Sequence, residues 1–313
     1  MKIAVFGLFS STRVAIETFL ELGCEIILLF PSDQRHLFTQ FHFHTLSIPV
    51  HFFDSIHDPD LIDALREFEP DYIISYVFGT KIPQSIVRLA GVSALNIHPS
   101  ALPQYRSGNA WFWPVREGET TSALTVHHLE EKWDSGNIVF EYPFTLPNKI
   151  TQGIYIRLVE SITSDMIRRL HAHFLNEPPQ NRPQGEGRYF PKLRFKDILI
   201  DWPQDAVKIE ALIRACNPTH LAKTYLHNKM ISIGEANITG IQSKDIPGTL
   251  LVRDDTLYAS TGSTLLELTI IEVIDEGLFS AARFIDIYGI KNGQHMISIK
   301  TLPFMQEFLE TML

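Results

Sequence analysis

Short apolar segments alternate with amphipathic segments through the first half of the chain. The apolar segments are rich in β-branched residues and end near glycine or proline, whereas those between them carry apolar residues at helical spacing. In chain order they read KIAVFG, TRVAIETFLELG, CEIILLF, IPVHFF, DALREF, DYIISYVFG, IPQSIVRLAG and SALNIH. This alternation predicts a doubly wound, mostly parallel Rossmann-like α/β sheet, which binds ligands at the carboxyl ends of its strands.

The second half has a different pattern. Helical spacing over 151–175 is followed by NEPPQNRPQGEGRYFPKLRFKD, whose proline, glycine and charge indicate a linker. We expect the next helix to start at Asp201 or Pro203 and to stop at Asn217. Beyond it, short β-like runs between turn residues are typical of a small β-barrel or sandwich, and we expect an OB-like barrel. The predicted organisation is therefore a larger domain over 1–175, a linker over 176–203 and a C-terminal β domain over 204–313.

Composition narrows the function classes. A chain of 313 residues has room for one large and one smaller domain. The two cysteines, Cys24 and Cys216, lie in apolar segments, which argues against a disulfide framework and fits a reducing cytoplasm. We find neither a signal-peptide layout nor a run of about 18 uncharged apolar residues, so we expect a cytoplasmic protein without membrane partners. The net charge of -9 gives no general attraction to nucleic acid.

Two familiar ligand-binding patterns are poorly matched. The first βα turn, GLFSST, has one glycine, Gly7, where a dinucleotide fingerprint needs three. Five histidines cluster in the segment after the second apolar run, and two of them, His42 and His44, could share a strand face and bind a metal. No cysteine joins them and no established metal-ligand spacing appears, so we expect no metal site. The five are His36, His42, His44, His51 and His57.

Polar side chains end the last apolar run of the first half, in NIHPSALPQYRS. Asn96 and His98 stand two residues apart, and the period of a strand directs both side chains to the same face. At a strand end, this pair alone is more typical of local polar structure than of a reactive site. The sequence that follows it decides between the two interpretations.

That sequence carries a family resemblance. Asn96-x-His98, then SALPQYR, then WDSGNI with Asp134 and Gly136 resemble the signature of formyltransferases that use 10-formyltetrahydrofolate. IDWPQDAVKIEALIRACNP and IPGTLLVRDDTLYASTGSTLLEL are similar to the linker, helix and C-terminal β domain of that family, so nearly the whole chain is covered. The resemblance implies an N-formyltransferase that moves the formyl group of this folate cosubstrate to a primary amine. It also implies direct attack through a tetrahedral intermediate, without a metal or a covalent enzyme intermediate.

The chemistry accounts for the residue types. Charge that develops on the formyl oxygen needs fixed hydrogen-bond donors, and proton transfer near neutral pH suits histidine. A carboxylate beside the imidazole favours its charged form and fixes its orientation. By the resemblance, Asn96 polarises the formyl oxygen, His98 carries the proton and stabilises the oxyanion, and Asp134 tunes His98. A turn-forming role for Asp134 is the alternative.

Binding residues follow from the resemblance for the folate and from residue type and position for the acceptor. Folate contacts, made largely through backbone groups, are expected at Tyr76, Val77, Phe78, Gly79, Ile82 and Gly136. Acceptor contacts are expected at Ser100, Tyr105, Arg106 and Trp111. Ser100 and Tyr105 would shape the wall of the loop. For Arg106 an anion-binding role and a solvated surface position stay open, and Trp111 could instead belong to an aromatic core.

The resemblance leaves the identity of the acceptor open. Enzymes of the family that formylate methionyl-tRNA carry a long basic loop after the second strand, whereas here 31–50 contains one arginine, Arg35, and no lysine. From residue 205 onward, acidic residues outnumber basic ones. We therefore expect a small-molecule amine, most plausibly a nucleotide-linked amino sugar, with methionyl-tRNA as the alternative. A formyltetrahydrofolate hydrolase and a non-catalytic folate-binding protein are weaker alternatives, and a homodimer is left open.

Overall fold

The computed structural model describes residues 1–176, 181–227 and 229–298, with the backbone alone for Ser107. Two compact units are formed, and each is discontinuous in sequence. The first contains Met1–Ala110, Thr121–Thr145 and Ile156–Pro191. The second contains Trp111–Thr120, Leu146–Tyr155 and the chain from Lys192 onward. The expected domain boundaries stay a prediction, and their stretches at 177–180 and 299–313 lie outside the described residues.

The first unit is built on a seven-stranded sheet with the strand order β3-β2-β1-β4-β5-β7-β8. Strands β1 to β5 are parallel, whereas β7 runs antiparallel to β5 and β8 antiparallel to β7. This order reverses direction at β1, so the predicted doubly wound, mostly parallel sheet is confirmed. The strands are β1 (Lys2–Gly7), β2 (Glu25–Pro31), β3 (Val50–Phe53), β4 (Tyr72–Tyr76), β5 (Ser93–His98), β7 (Thr121–His128) and β8 (Ile138–Thr145). A separate two-stranded ribbon pairs β6 (Arg106–Ser107) with β9 (Tyr189–Phe190).

Helices cover this sheet because their apolar faces pack onto its buried strands. In α3, Pro59 occupies the first turn and suits a helix start, while Leu61 and Leu65 are fully buried in a core that includes Phe6 and Ile73 of the sheet. The helices are α1 (Ser10–Glu21), α2 (Arg35–Gln40), α3 (Pro59–Phe68), α4 (Gln84–Val87) and α6 (Gln152–Asn176), of which α6 joins this unit from Ile156.

The crevice between β1 and β4 is filled by the protein itself. Thr12 Oγ1 donates to the carbonyl of Tyr76 at 2.8 Å. A Cβ placed on Gly7 would lie 2.6 Å from the same carbonyl oxygen and 2.4 Å from the Thr12 side chain. Gly7 therefore allows a close approach of protein groups.

The segment after β2 packs through aromatic rings. Phe38 lies 5.3 Å from Phe30 and 5.1 Å from Phe52, between ring centroids, and Phe43 lies 5.5 Å from Phe30. The strand face considered for His42 and His44 is wrong, because His42 has a left-handed backbone and caps a 3-10 turn over Phe43–Thr45. Among the described residues, no group of three or more histidines, cysteines or carboxylates is placed to hold a metal.

The second unit contains a separate antiparallel sheet in the region predicted to form a β domain, with the order β10-β11-β14-β13-β12 and β15 beside β14. Its strands are β10 (Ala222–Leu226), β11 (Lys229–Gln242), β12 (Leu250–Arg253), β13 (Thr256–Ser260), β14 (Thr264–Val273) and β15 (Gly277–Ser280). Its helices are α5 (Phe112–Glu117), α7 (Ala206–Cys216) and α8 (Ala281–Tyr288). Over the ranges that the structure describes, no helix has both the length and the apolar character to cross a bilayer.

Helix α7 starts later than the sequence predicted. Asp205, rather than Asp201 or Pro203, caps it by accepting from the backbone N–H of Val207 at 2.8 Å. A carboxylate at this position satisfies a donor that the first turn leaves unpaired. The predicted end at Asn217 is confirmed.

Candidate active site

Strand β5 delivers two polar side chains to the carboxyl edge of the sheet. It lies between β4 and β7, with Asn96 opposite Ser75 on one side and His127 on the other. Asn96 Nδ2 is 3.0 Å from His127 Nε2, and His98 Nδ1 is 3.6 Å from Asp134 Oδ1. The structure therefore brings Asn96, His98 and Asp134 into one cluster, although Asp134 follows β7.

The contacts of His98 decide which of its nitrogens exchanges a proton. His98 is 3% exposed, and its Nε2 lies 2.8 Å from the carbonyl oxygen of Tyr105. Because a carbonyl oxygen can only accept, Nε2 carries the hydrogen of the neutral ring. Nδ1 is then the atom that gains or loses a proton, and it faces the Asp134 carboxylate.

Burial dominates the acidity of His98. Removal from water lowers the pKa of His98 below its ordinary value, because it penalises the charged ring, and the Asp134 carboxylate acts in the opposite direction by raising it. The neighbouring His127 ring lowers the pKa of His98 further. The resting ring is accordingly neutral at pH 7, and Asp134 stabilises the imidazolium formed when Nδ1 takes a proton.

His127 belongs to the cluster, although its role was not predicted from the sequence. Its Nδ1 donates to the carbonyl of His128 at 2.9 Å, so Nε2 of the neutral ring accepts from the Asn96 amide. The same Nε2 lies 3.6 Å from Asp134 Oδ1, and the ring is 2% exposed. The sequence feature that could have identified His127 is its position in TVHHLEEKWD, near the end of the strand that precedes Asp134.

Asn96 is left with a hydrogen for a ligand. An amide nitrogen carries two hydrogens, and the bond to His127 uses one of them. That bond also fixes the orientation of the amide, because Nε2 of the neutral His127 ring can only accept. The second hydrogen of Nδ2 is available to an oxygen in the cleft.

The loop between β7 and β8 holds Asp134 in an unusual backbone conformation. Asp134 is 8% exposed and has φ 51°, in the left-handed region. Gln184 Nε2 donates to the carbonyl oxygens of Asp134 at 2.9 Å and of Gly136 at 2.5 Å. A Cβ on Gly136 would lie 1.9 Å from the carbonyl oxygen of His128, so only glycine fits where this loop passes the end of β7.

A cleft opens beside the cluster. Its inner pocket, of about 30 Å³, is lined by Asn96, His127 and Asp134 together with Ser75, Thr80, Lys81, Ile82, Leu129, Glu130, Lys132 and Trp133. An outer groove of about 450 Å³ is lined by Arg106, Glu131, Lys132, Trp133, Ser135 and Tyr189. Since both are lined by Lys132 and Trp133, we treat them as one continuous cleft. The outer groove alone has the volume of an ordinary small-molecule site.

The residues predicted to contact folate are divided between the core and the cleft. Tyr76 is fully buried, with its hydroxyl 2.9 Å from Thr163, and burial raises the pKa of Tyr76 to about 12. The Phe78 ring packs 5.4 Å from Phe6 in the core, whereas Ile82 lines the inner pocket. The side chains of Tyr76 and Phe78 therefore belong to the core, and that of Ile82 belongs to the cleft.

The two residues next to Phe78 are distinctive in different ways. Val77 has φ 51°, which is a rare conformation for a β-branched residue and one that functional sites often retain. A Cβ built on Gly79 would meet nothing within 4 Å, so the space next to Gly79 is open.

The residues predicted to contact the acceptor are also divided. Ser100, fully buried, donates to the Tyr105 carbonyl at 3.2 Å, and the Tyr105 ring stacks on Phe190 at 5.5 Å. Both therefore support the loop that fixes His98. Arg106 lines the outer groove.

Trp111 belongs to the second unit. Its indole N–H donates to the side-chain oxygen of Gln152 at 3.0 Å, in the amide orientation that gives both ends of Gln152 a partner. The structure thus assigns Trp111 a contact inside that unit.

Comparison with known families covers most of the chain. A family model described as formyl transferase matches residues 28–160, and one described as formyl transferase, C-terminal domain, matches residues 192–288. The unmatched stretch between the two models, 161–191, contains Gln184 and Tyr189.

Two curated relatives and one solved structure illustrate the similarity. Bifunctional polymyxin resistance protein ArnA of Wigglesworthia glossinidia brevipalpis is 26% identical over 99% of this chain and 49% of its own length. Methionyl-tRNA formyltransferase of Syntrophus aciditrophicus is 30% identical over 64% of each protein. The chain thus spans about half of the first relative and somewhat under two thirds of the second. A Helicobacter canadensis N-formyltransferase, solved with folinic acid and dTDP-3-aminofucose, shares the fold with a TM-score of 0.64 and 16% identity, over 86% of this chain and 99% of its own.

Proposed function

Since this chain belongs to the formyl transferase family, we propose that it moves the formyl group of 10-formyltetrahydrofolate to a primary amine. The observation that carries this proposal is the cluster of Asn96, His98 and His127 around the buried carboxylate of Asp134, beside the inner pocket that Asn96, His127 and Asp134 line. These groups supply a fixed hydrogen-bond donor, a proton acceptor and a carboxylate partner for it, which are what amine formylation requires.

The inner pocket would receive the reactive end of the folate donor, because a volume of about 30 Å³ has no room for a fused ring. Ile82, Leu129 and Trp133 give this pocket apolar walls, and Ser75 and Thr80 add polar groups. The reactive contribution of the bound donor is an activated formyl carbon. No metal is needed for this chemistry, because the residues of the cluster provide both the charge stabilisation and the proton transfer.

Each residue of the cluster has a distinct part in the proposed reaction. Asn96 Nδ2 donates to the formyl oxygen as negative charge develops there, and its bond to His127 holds the amide in that orientation. His98 Nδ1 accepts the proton that the amine loses when its new N–C bond forms, and Asp134 stabilises the resulting imidazolium. His98 can return the same proton to the departing nitrogen, so no proton is gained or lost overall.

We propose a nucleotide-linked amino sugar as the acceptor. The outer groove combines two cationic side chains, Arg106 and Lys132, with two exposed aromatic rings, Trp133 at 41% and Tyr189 at 56% exposure. Cations suit a diphosphate, and exposed rings suit a planar base. A small acceptor carrying both fits this groove.

The segment 31–50 offers little to a tRNA. Arg35 lies 4.1 Å above the Phe52 ring, so the one arginine of this segment makes a cation–π contact with the protein. Phe38 and Phe43 of the same segment pack against Phe30 of β2. Methionyl-tRNA is nevertheless the second candidate acceptor, since the relative of Syntrophus aciditrophicus at 30% identity is a methionyl-tRNA formyltransferase.

A direct assay tests the proposal. Purified protein is incubated with 10-formyltetrahydrofolate and either charged initiator tRNA or a panel of nucleotide-linked amino sugars, and formylated products are identified by mass spectrometry. Formyl on a sugar amine supports the proposed acceptor, and formyl on the tRNA replaces it with the second candidate. Release of formate without any formylated amine would contradict amine transfer and indicate the hydrolase.

A further inference from the structure

One side chain in the segment expected to be a linker contacts both the Asp134 loop and the outer groove. Gln184 Nε2 donates to the carbonyl oxygens of Asp134 and Gly136, at 2.9 and 2.5 Å, while Gln184 Oε1 accepts from Arg106 Nε at 3.0 Å. Gln184 is half-buried, whereas the other residues of 181–189 are exposed. Its position is therefore not that of an ordinary linker residue.

The partners of Gln184 leave only one amide orientation. Carbonyl oxygens can only accept and a guanidinium can only donate, so the amide nitrogen must face the loop and the amide oxygen must face Arg106. Glutamine meets both demands. A glutamate would keep only the Arg106 bond, and a methionine of similar size would keep neither.

Gln184 supports the Asp134 loop. Asp134 has φ 51°, in the left-handed region, which non-glycine residues adopt uncommonly although aspartate adopts it more readily than most, so contacts around the turn help to keep it there. The two carbonyls bound by Gln184 lie on either side of Ser135, so the bonds hold the turn that carries the carboxylate. Asp134 must stay close to both His98 and His127, each 3.6 Å away.

Gln184 is itself held between two anchors. Arg182 and Ile138 exchange two backbone hydrogen bonds of 3.1 and 2.8 Å, which join the segment to the start of β8. On the other side, Tyr189 of β9 pairs with Arg106 of β6. Arg106 also donates to the carbonyl of Gly185 at 3.2 Å, so the Gln184 backbone is fixed on both sides.

We propose that Gln184 is a positioning residue that holds Asp134 against His98 and His127 and connects this loop to Arg106. The proposal deepens the proposed function and rests on it wherever turnover is the readout. It makes the segment 181–190 part of the site. It also couples the groove that would bind the acceptor to the carboxylate that stabilises the proton acceptor.

Kinetics of two variants test the positioning. Gln184→Met should lower kcat by roughly 10- to 100-fold, the scale of a displaced catalytic group, while KM for the folate donor changes little. Gln184→Glu should show a similar loss although it keeps a partner for Arg106. Glu186→Gln, an exposed change in the same segment, is the matched control and should behave as wild type. Wild-type kcat in both Gln184 variants would overturn the proposal.

A readout without turnover separates this proposal from the function on which it rests. NMR titration of labelled histidine gives the midpoint of His98 in wild type and in Gln184→Met. Because Asp134 raises the pKa of His98, displacing Asp134 should move that midpoint to lower pH, whereas a purely structural role would lower the melting temperature alone. An unchanged midpoint would contradict the positioning role.

The two failures can be told apart. If wild type transfers no formyl group, the proposed function fails, and the NMR titration still decides the role of Gln184. If Gln184→Met does not fold, Gln184→Ala replaces it in both measurements.

Discussion

Proton transfer in the cluster depends on one nitrogen of His98. Nε2 is committed to the Tyr105 carbonyl, and His98 is not among the residues that line the inner pocket. A change at this residue thus removes Nδ1 and leaves the lining of that pocket in place. His98→Ala should therefore bind 10-formyltetrahydrofolate normally and lose at least roughly 10²-fold in kcat. Binding is measured by calorimetry and turnover by product formation.

The control for His98→Ala is His128→Ala. His128 is also an imidazole at the edge of the sheet, but its Nδ1 pairs with Ser93 Oγ at 3.0 Å rather than with Asp134. This variant should keep kcat close to wild type. A His98→Ala enzyme as active as the control would remove His98 from the mechanism.

The charge of Asp134 should be visible in the pH dependence. The neutral His98 ring is the active form, so kcat/KM should fall as pH drops through the His98 pKa, which burial holds below its ordinary value. Asp134→Asn removes the charge that raises this pKa, so the acidic limb should move to lower pH while the plateau falls. The profile is measured with a stopped assay, and a limb at an unchanged pH would show that Asp134 does not tune His98.

At the residue scale, local sequence identified only part of the site. Asn96, His98 and Asp134 could be predicted because NIHPSALPQYR and WDSGNI together resemble the family signature, and the structure brings the three into one cluster. His127 was missed because its role depends on the register between β5 and β7. Gln184 was missed because its partners lie far away in sequence.

At the scale of elements, the cap of α7 gives a clean test. Asp205 accepts from the Val207 N–H, so Asp205→Ala leaves an unpaired donor in the first turn. We expect a loss of about 1 kcal/mol in the free energy of unfolding, measured by urea denaturation. Asp286→Ala, at an exposed position inside α8, is the control and should change it far less. Equal effects would mean that the Asp205 side chain does not cap α7.

Helices and strands were predicted best where their apolar residues recur at a regular spacing. The buried strands of the first sheet and the helix before Asn217 follow from apolar spacing alone. The start of α7 was misplaced because Asp201, Pro203 and Asp205 all suit a helix start, and only tertiary structure decides among them. The pairing between β6 and β9 could not be predicted from the sequence, because each strand has only two residues.

At the scale of the whole molecule, the two units are interleaved along the sequence, because each is made of several separate stretches of the chain. Helix α5 and residues 146–155 belong to the second unit, where the Gly153 N–H donates to Asn217 and Arg116 donates to the carbonyl of Lys208. A fragment ending near residue 203 lacks those partners. We expect faster tryptic cleavage after Arg116 in that fragment than in the full chain, measured by mass spectrometry. Equal cleavage rates would mean that 111–120 folds without the second unit.

The exposed indole of Trp133, at the rim of the cleft, should make ligand binding visible by fluorescence. The chain has four tryptophans. Trp202 is 1% exposed and donates to Thr224, so its emission should be constant, whereas Trp133 is 41% exposed and lines both parts of the cleft. A change in emission that appears when the cleft is filled, and that Trp133→Phe abolishes, should therefore report occupancy of the cleft in protein that performs no chemistry at all.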